Sequence, residues 1–559
     1  MPQKSAPIPP SRPRFKRRSI FWFIAVVLLL AAAGGLIYWW MYRKQFVREQ
    51  LELAVVDGSD SLYRIRYTQM RMDEVKGWIH IRDLEVTYDS ARFAQLVIAG
   101  KAPPILMRIK IPELKVNGVK TPRALLGTEL AAGNVEIIRP EVQLVYTRTN
   151  DTAESRRMPT AADYDQLLGQ LDKITLSKLV IHEGKLETGY LRSDAAPLQL
   201  NGVKLELGNI VVDSNSATDP DRILFASDIF LECDEVKWLS DDGRYRFRVD
   251  STHYESKTRA LRTARFNIEP LLSETQFTKQ LRFADDRFDL ALRGVSISGL
   301  QLASLQRDSL LADSIHLGTG HFYVYRDLGL PHDGKNRLGT YPHQLLKNAG
   351  LAIHIGQVAA NAIDIKYKER SAATRKAGVV HFANTRFRIN DVSNLVQETS
   401  TPMEARIESV FLQAPLSINW KFFQAASNGR FTIQGRLGQL PAPAANVLAE
   451  PMGPARLDEG TINGLSFSID GNDYGAFARV TVLYKDLKIS LLKKEEDSGE
   501  LNKKKLASFA ANLVMKKSNP SKKDDEPRTV KVNFRRDTKR SIFHLSWKTL
   551  FTGLKETVM

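Results

Sequence analysis

A mainly β body carried behind one transmembrane helix is the fold class this sequence predicts, and three observations predict it. The run from Ile20 to Met41 contains no charged residue. From Leu62 onward apolar residues recur with period two rather than 3.6, as in Tyr63, Ile65 and Tyr67, then Leu84, Val86 and Tyr88, then Met107, Ile109 and Ile111; such alternation marks strands with one apolar face. The breaks between these runs are short, which favours antiparallel neighbours, because a parallel crossover needs a dozen or more residues.

The apolar run comes first. At ~1.5 Å of rise per residue, a helix over it is about 33 Å long and matches a hydrocarbon core of roughly 30 Å. Phe21, Trp22 and Phe23 stand at one end and Tyr38, Trp39 and Trp40 at the other, where amphipathic rings favour the two headgroup layers. A cleaved signal peptide is the competing reading, since Ala31-Ala32-Ala33 resembles a cleavage site. Cleavage there leaves a mature chain beginning Gly34-Gly35-Leu36-Ile37-Tyr38-Trp39-Trp40, an apolar end with nothing to bury it, so a retained anchor is the expectation. Lys4, Arg12, Arg14, Lys16, Arg17 and Arg18 precede the run without an acidic residue, and only Arg43, Lys44 and Arg48 follow closely. This bias keeps the N-terminus in the cytoplasm and exports the remainder. The prolines at 2, 7, 9, 10 and 13 make residues 1–18 an unstructured basic arm.

The formal net charge of +17 invites a nucleic-acid reading. Its distribution argues otherwise: residues 1–18 contribute +6 and Lys488 to Met559 contribute +9, leaving +2 for the long middle. Basic ends beside an anchor fit anionic lipid or topology, so no nucleic-acid partner is expected. Cys233 is the only cysteine, which excludes a disulfide framework and a thiolate metal cluster.

Strand patterns continue through Leu114 to Val119, Val135 to Tyr146, Leu179 to Tyr190, Leu198 to Val212, Phe288 to Leu302, Ile315 to Tyr325, Leu351 to Tyr367, Val379 to Ile389, Ile407 to Trp420, Phe431 to Leu437, Ile462 to Ile469 and Ala478 to Tyr484. Asn117-Gly118, Asn201-Gly202 and Asn463-Gly464 each interrupt strand-forming residues, as hairpin turns or as bulges. Helical signals are few: Ala161 to Lys173, Pro342 to Asn348, Ala444 to Glu450 and Leu506 to Met515. They are too short to form a layer over so long a sheet. The apolar face must therefore pack on another sheet or line a groove that something apolar fills.

The chain ends in SIFHLSWKTLFTGLKETV, with Phe543, Trp547, Leu550, Phe551, Leu554 and Val558 at helical spacing and Arg535, Arg536, Lys539 and Arg540 ahead of it. An amphipathic helix of this kind suits a membrane interface or a membrane-protein partner. It equally suits a cap on the end of the sheet.

No phosphate loop, HExxH, GxSxG, paired CxxC or Gly-rich dinucleotide fingerprint occurs. The ten histidines are scattered; His80, His182, His354 and His381 fall within strand patterns, and His316 and His321 flank a Gly-rich break. Asp241-Asp242 and Asp285-Asp286 read as turn residues. Nothing here supports catalysis, a metal or a cofactor.

The basic arm, the single span, the segment LYRIRYTQMRMDEVKGWIHIRDLEVTYD, the long run of strands and the passage INGLSFSIDGNDYGAFARVTVLYKDLKISLLKK together resemble the AsmA-like family of envelope proteins, related to TamB. Val482-Leu483-Tyr484-Lys485-Asp486-Leu487 and the tail around Phe543, Trp547, Leu550 and Phe551 are the most distinctive phrases. The resemblance implies an inner-membrane anchor, a periplasmic elongated, curled antiparallel β-sheet with a hydrophobic groove, no catalytic residues, and a role in outer-membrane biogenesis through phospholipid carriage. The expected layout is a basic arm (1–18), a transmembrane helix (19–41), a β-rich region (42–440), a C-terminal β segment with charged loops (441–540) and an amphipathic helix (541–559). Membrane phospholipids are the expected partners, with a membrane protein at the tail. The lining of the groove is not assignable from sequence. The rival reading is a non-catalytic scaffold with a closed β-sandwich that docks a partner through its tail.

Overall fold

Alternating apolar and polar side chains bury one face of a sheet, and in this chain that pattern yields long strands with few helices. The computed structural model describes residues 59–558 apart from 74, 120–128, 148–172, 192–197, 214–221, 224, 241, 373–376, 396–400, 453–454, 495–500, 504–515 and 523. Among these, the protein is mainly β, with a large, predominantly antiparallel sheet. The chain divides into two compact units, Met1–Arg262 and Thr263–Met559. The run 20–41 and the helix expected over 506–515 lie outside the described residues, as does most of the helix expected over 161–173. No helix among the described residues is long and apolar enough to cross a membrane.

Unit 1 holds β1 (Tyr63–Arg66), β2 (Gln69–Asp73), β3 (Trp78–Tyr88), β4 (Ile105–Asn117), β5 (Glu129–Ile138), β6 (Glu141–Tyr146), β7 (Lys173–Tyr190), β8 (Leu198–Val212), β9 (Asp228–Leu239) and β10 (Tyr245–Glu255). Its core is a line of side chains in register across neighbouring strands: Ile81 opposite Leu114, Leu114 opposite Ile137, Ile137 opposite Ile181, and Ile181 opposite Leu205. All five are buried. Between β3 and β4 the chain forms helix α1 (Ser90–Ile98), which begins where the Asp89 carboxylate accepts from the backbone N–H groups of Ala91 and Arg92. Phe93 and Leu96 of α1 pack with Leu62, Leu106 and Val145.

The boundary residues lie in β11 (Ala260–Pro270). Unit 2 continues with α2 (Glu274–Lys279), β12 (Asp286–Ser298), a 3-10 turn (Leu302–Arg307), β13 (Ser309–Asp327), α3 (Pro342–Lys347), β14 (Ala352–Arg370), β15 (Ala377–Ser393), β16 (Met403–Phe411), β17 (Ala414–Phe422) and β18 (Phe431–Leu437). After the short β19 (Leu440–Pro441) come a 3-10 turn (Ala442–Ala445), α4 (Asn446–Met452), β20 (Ala455–Gly471), β21 (Gly475–Lys494), β22 (Leu501–Lys503), β23 (Thr529–Arg535) and α5 (Ile542–Val558). The short helices expected at Pro342 and Ala444 and the final helix are present; α1 and α2 carry no strong sequence signal.

Three pairings depart from the antiparallel expectation. β7 runs parallel to β5 and β6, and β14 runs parallel to β13. The connections concerned, residues 147–172 and 328–351, are the long ones, which is the length a parallel crossover demands. The Asn-Gly phrases also resolve. Asn463-Gly464 sits inside β20 at a register shift, a bulge rather than a turn. Asn201-Gly202 lies inside β8 with Gly202 at φ +63°, where an added Cβ would collide with the Asp234 carboxylate.

One buried ion pair fixes the C-terminal part of unit 2. Arg536 donates from Nη1 to Asp473 Oδ1 at 2.7 Å, its side chain almost wholly buried, and from Nη2 to the carbonyl of Arg337 at 2.7 Å. Its guanidinium also lies 4.2 Å from the centre of the Tyr341 ring. Replacing Arg536 by methionine strands the Asp473 carboxylate away from water. The expected loss is about 3–5 kcal/mol of unfolding free energy, read as a lowered urea midpoint, whereas Arg430→Met at the exposed pair with Asp470 should change it by less than about 1 kcal/mol.

Candidate functional site

Directly paired residues on neighbouring strands present their side chains to the same face, so the register identifies what each face of unit 2 carries. One line runs Val295, Leu317, Ala360, Phe387, Ile407, Ile418, Gly435, Phe467, Val480, Val530 from β12 to β23, every member opposite the next. A second runs Ile297, Ile315, Val358, Ile389, Ala405, Trp420, Ile433, Ile469, Ala478, Val532. The alternate positions belong to the other face: Ser296, His316, Ala359, Arg388, Arg406, Asn419, Gln434, Ser468, Arg479, Lys531. One face of this sheet is therefore continuously apolar and the other polar.

The apolar face is covered most fully at its C-terminal end, and Ala444 and Leu448 of the 3-10 turn and α4 pack with Phe411, Leu416 and Leu437 at another edge. Over β18 to β23 most of its residues are sealed, Val480 and Ala478 being 0 % exposed, Ile469 2 % and Val532 3 %, with Phe467 and Val530 partly buried against them. The cover is α5, whose inward row is Ile542, Leu545, Thr549, Gly553 and Thr557. Thr549 and Thr557 turn their hydroxyls back to the carbonyls of Leu545 and Gly553, which satisfies them inside an apolar contact. Gly553 permits the close approach, since a Cβ there would meet Val480 Cγ2 at 2.5 Å.

Over β12 to β17 the central rows of the same face are mostly half-buried, although Ala360 and Ala405 within them and Met403, Phe411, Ala414, Leu416 and Phe422 towards the strand ends are buried. Val295, Leu317, Phe387, Ile389, Ile407, Ile418 and Trp420 all keep part of their surface accessible. Six strands at ~4.8 Å give an open width of about 24 Å. The donor Nε1 of Trp420 is buried and has no hydrogen-bond partner among the described residues. An apolar area of this size with an unused donor is suited to an elongated hydrocarbon molecule that carries a polar group.

The long β13–β14 connection limits the open region. Its Tyr341 ring packs edge-on to Phe431 at 5.7 Å and its hydroxyl donates to the carbonyl of Asn472 at 3.0 Å, while Gln344 Nε2 donates to Asp473 Oδ2 at 2.8 Å. His343 lies 5.2 Å from Phe422, and neither ring nitrogen makes a full hydrogen bond. Burial pushes its pKa down to about 4, against the opposing pull of Asp473.

The expected tail residues separate into two groups. Leu550 and Leu554 pack against the core of unit 2. Phe543 is 62 % exposed and touches Trp420 edge-on at 5.7 Å, and Trp547 and Phe551 stand 6.3 Å apart on the half-buried flank of the helix. The large residues visible as a stripe in the sequence are thus not the row in closest contact, which is built from small ones. Phe21, Trp22, Phe23, Tyr38, Trp39 and Trp40 lie outside the described residues. Several histidines pair with a carboxylate, as His80 with Glu113 at 2.7 Å and His321 with Asp289 at 3.1 Å. No group of three His, Cys, Asp or Glu side chains able to hold a metal occurs among the described residues. Asp286 begins β12 and pairs with Arg326 at 3.0 Å, with burial raising its carboxyl above the usual range.

These features define a mainly β protein whose C-terminal unit presents one long, partly uncovered apolar face. No family model matches the chain, and no curated protein matches it.

His343 makes the cover sensitive to acid. An unfolded histidine takes up its proton near pH 6.5 and the folded one only near pH 4, so the unfolded state binds more protons between those values and stability falls as pH drops through that window. His343→Leu should flatten this dependence. Urea midpoints measured from pH 7 to pH 4 check it.

Proposed function

We propose that this chain is an AsmA-like envelope protein, held in the inner membrane by residues 19–41 with its β body in the periplasm, and that it carries phospholipid on the open apolar face of β12 to β17. The observation that carries this reading is the mismatch between a face of ten apolar strands in register and a cover that leaves the central rows of β12 to β17 half-exposed. An acyl chain spanning about half of a ~30 Å hydrocarbon core is shorter than the ~24 Å opening. Its methylenes gain roughly 0.8 kcal/mol each on leaving water, while the headgroup stays in solvent. Transport of this kind is passive and non-catalytic, and it serves outer-membrane biogenesis.

The scaffold reading finds support in the tail: Phe543 is exposed beside half-buried Trp547 and Phe551, a surface fit for a membrane-protein partner. Both roles can share one molecule, with the tail docking the protein whose face carries the lipid.

Lipid extracted from the purified full chain and identified by mass spectrometry tests carriage. Phospholipid should be retained at a fixed ratio to protein, and Phe387→Arg, on the half-buried part of the face, should lower that ratio severalfold. Arg388→Glu, on the polar face, should leave it unchanged. A lipid-free preparation, or equal retention by both variants, contradicts carriage on this face.

A further inference from the structure

The described part of unit 1 begins at Ser59, with 17 residues between it and Met41, and Ser59 to Leu62 are clamped to α1. The amide of Asp89 donates to the carbonyl of Leu62 at 2.7 Å. Arg92 pairs with Asp60 at 2.6 Å and donates to its carbonyl at 2.8 Å. Helix α1 has two apolar sides. Phe93 and Leu96 face inward and are buried, while Ala91, Ala94, Val97 and Ile98 are exposed, Val97 by 52 % and Ile98 by 89 %. Residues 90–104 contain no acidic side chain, and Lys101 follows the helix.

A second observation points the same way. Helix α1 lies between β3 and β4, and of the four tyrosines near this end Tyr146 is buried and the Tyr63 hydroxyl accepts from the amide of Met107, while Tyr88 and Tyr190 are half-buried. Tyr63 is opposite Tyr88, and Tyr146 lies opposite both Ile105 and Tyr190. Arg108 stacks over Tyr88 at 4.8 Å. A half-buried tyrosine, a basic residue against it and a helix with an uncharged outer side are the composition of a surface that meets lipid headgroups.

We propose that this end of unit 1 rests on the membrane from which the chain emerges, with Val97 and Ile98 inserted among the acyl chains and Tyr88 and Arg108 at headgroup level. The inference rests on the reading of residues 19–41 as an anchor. It names a phospholipid surface rather than a protein because the intervening 17 residues reach at most about 60 Å even when fully extended, so the anchor itself holds this end near the bilayer. The contact gives the body a fixed orientation beside its anchor.

The test uses the full chain reconstituted into vesicles of phosphatidylethanolamine with a minority of phosphatidylglycerol, the latter carrying a spin label near the headgroup on a fraction of the lipid. An environment-sensitive fluorophore is attached at Ile98→Cys, at Val97→Cys, at Tyr38→Cys in the anchor, and at Ser417→Cys on the polar face of β17. Cys233 does not interfere, being 4 % exposed with its thiol pushed up to about 11 by burial. The expected result is quenching at positions 97 and 98 severalfold above that at 417 and comparable with that at 38. Quenching at 38 with positions 97 and 98 no different from 417 overturns the contact and leaves the anchor standing. Quenching at none of the four overturns both. A blue shift at 97 and 98 without quenching by lipid assigns the surface to a protein and also overturns the proposal.

Discussion

A single sheet has two faces, and a chain that makes one of them apolar across ten strands must find something to cover it. In unit 2 that constraint governs the rest. Two sheets pressed together would bury both apolar faces at once, but the strands from β12 to β23 pair in one sheet and lack that solution. Their cover comes instead from α5, the crossover loop and α4, which together leave the central rows of β12 to β17 half-exposed. Where cover ends, Phe387, Ile407 and Ile418 stay half-accessible.

The sealed end shows how much local chemistry a close cover requires. Helix α5 approaches the sheet through Thr549, Gly553 and Thr557, each small enough to let the backbone sit against Val480 and Val532. The crossover brings Tyr341 onto Phe431, and the Asp473–Arg536 pair ties it to the turn between β20 and β21 and to the segment ahead of α5. A buried ion pair rarely adds net stability over an apolar substitute, but it tolerates no partial removal. That suits a latch that sets which part of the face is covered.

Much of this fold was legible in the sequence because period-two patterning depends only on neighbouring residues. Most strands from β3 to β21 carry that local signature, and the short helices at Pro342 and Ala444 and the final helix carry their own, but β9, β10 and β11 are absent from the strand patterns read above. What was not legible depends on distance. The parallel pairing of β13 and β14 follows from a long connection whose path no pattern records. Gln344 meets Asp473 across 129 residues, and Arg536 meets Arg337 across 199. The contact row of α5 was hidden for a different reason: hydrophobicity marks Phe543, Trp547 and Phe551, whereas the closest packing uses threonine and glycine. The lining of the open face needed register, since a strand pattern says which residues share a side but not which strands lie beside it.

The central claim is that hydrocarbon from outside the chain occupies the uncovered part of this face. Placing a photoreactive phenylalanine analogue at Phe387, at Ile407 and at Arg388 in turn, irradiating living cells and analysing the purified protein by mass spectrometry tests it most directly. The account expects phospholipid adducts at 387 and 407 and none at 388; adducts to the protein's own chain at 387 and 407, with no lipid, would contradict it.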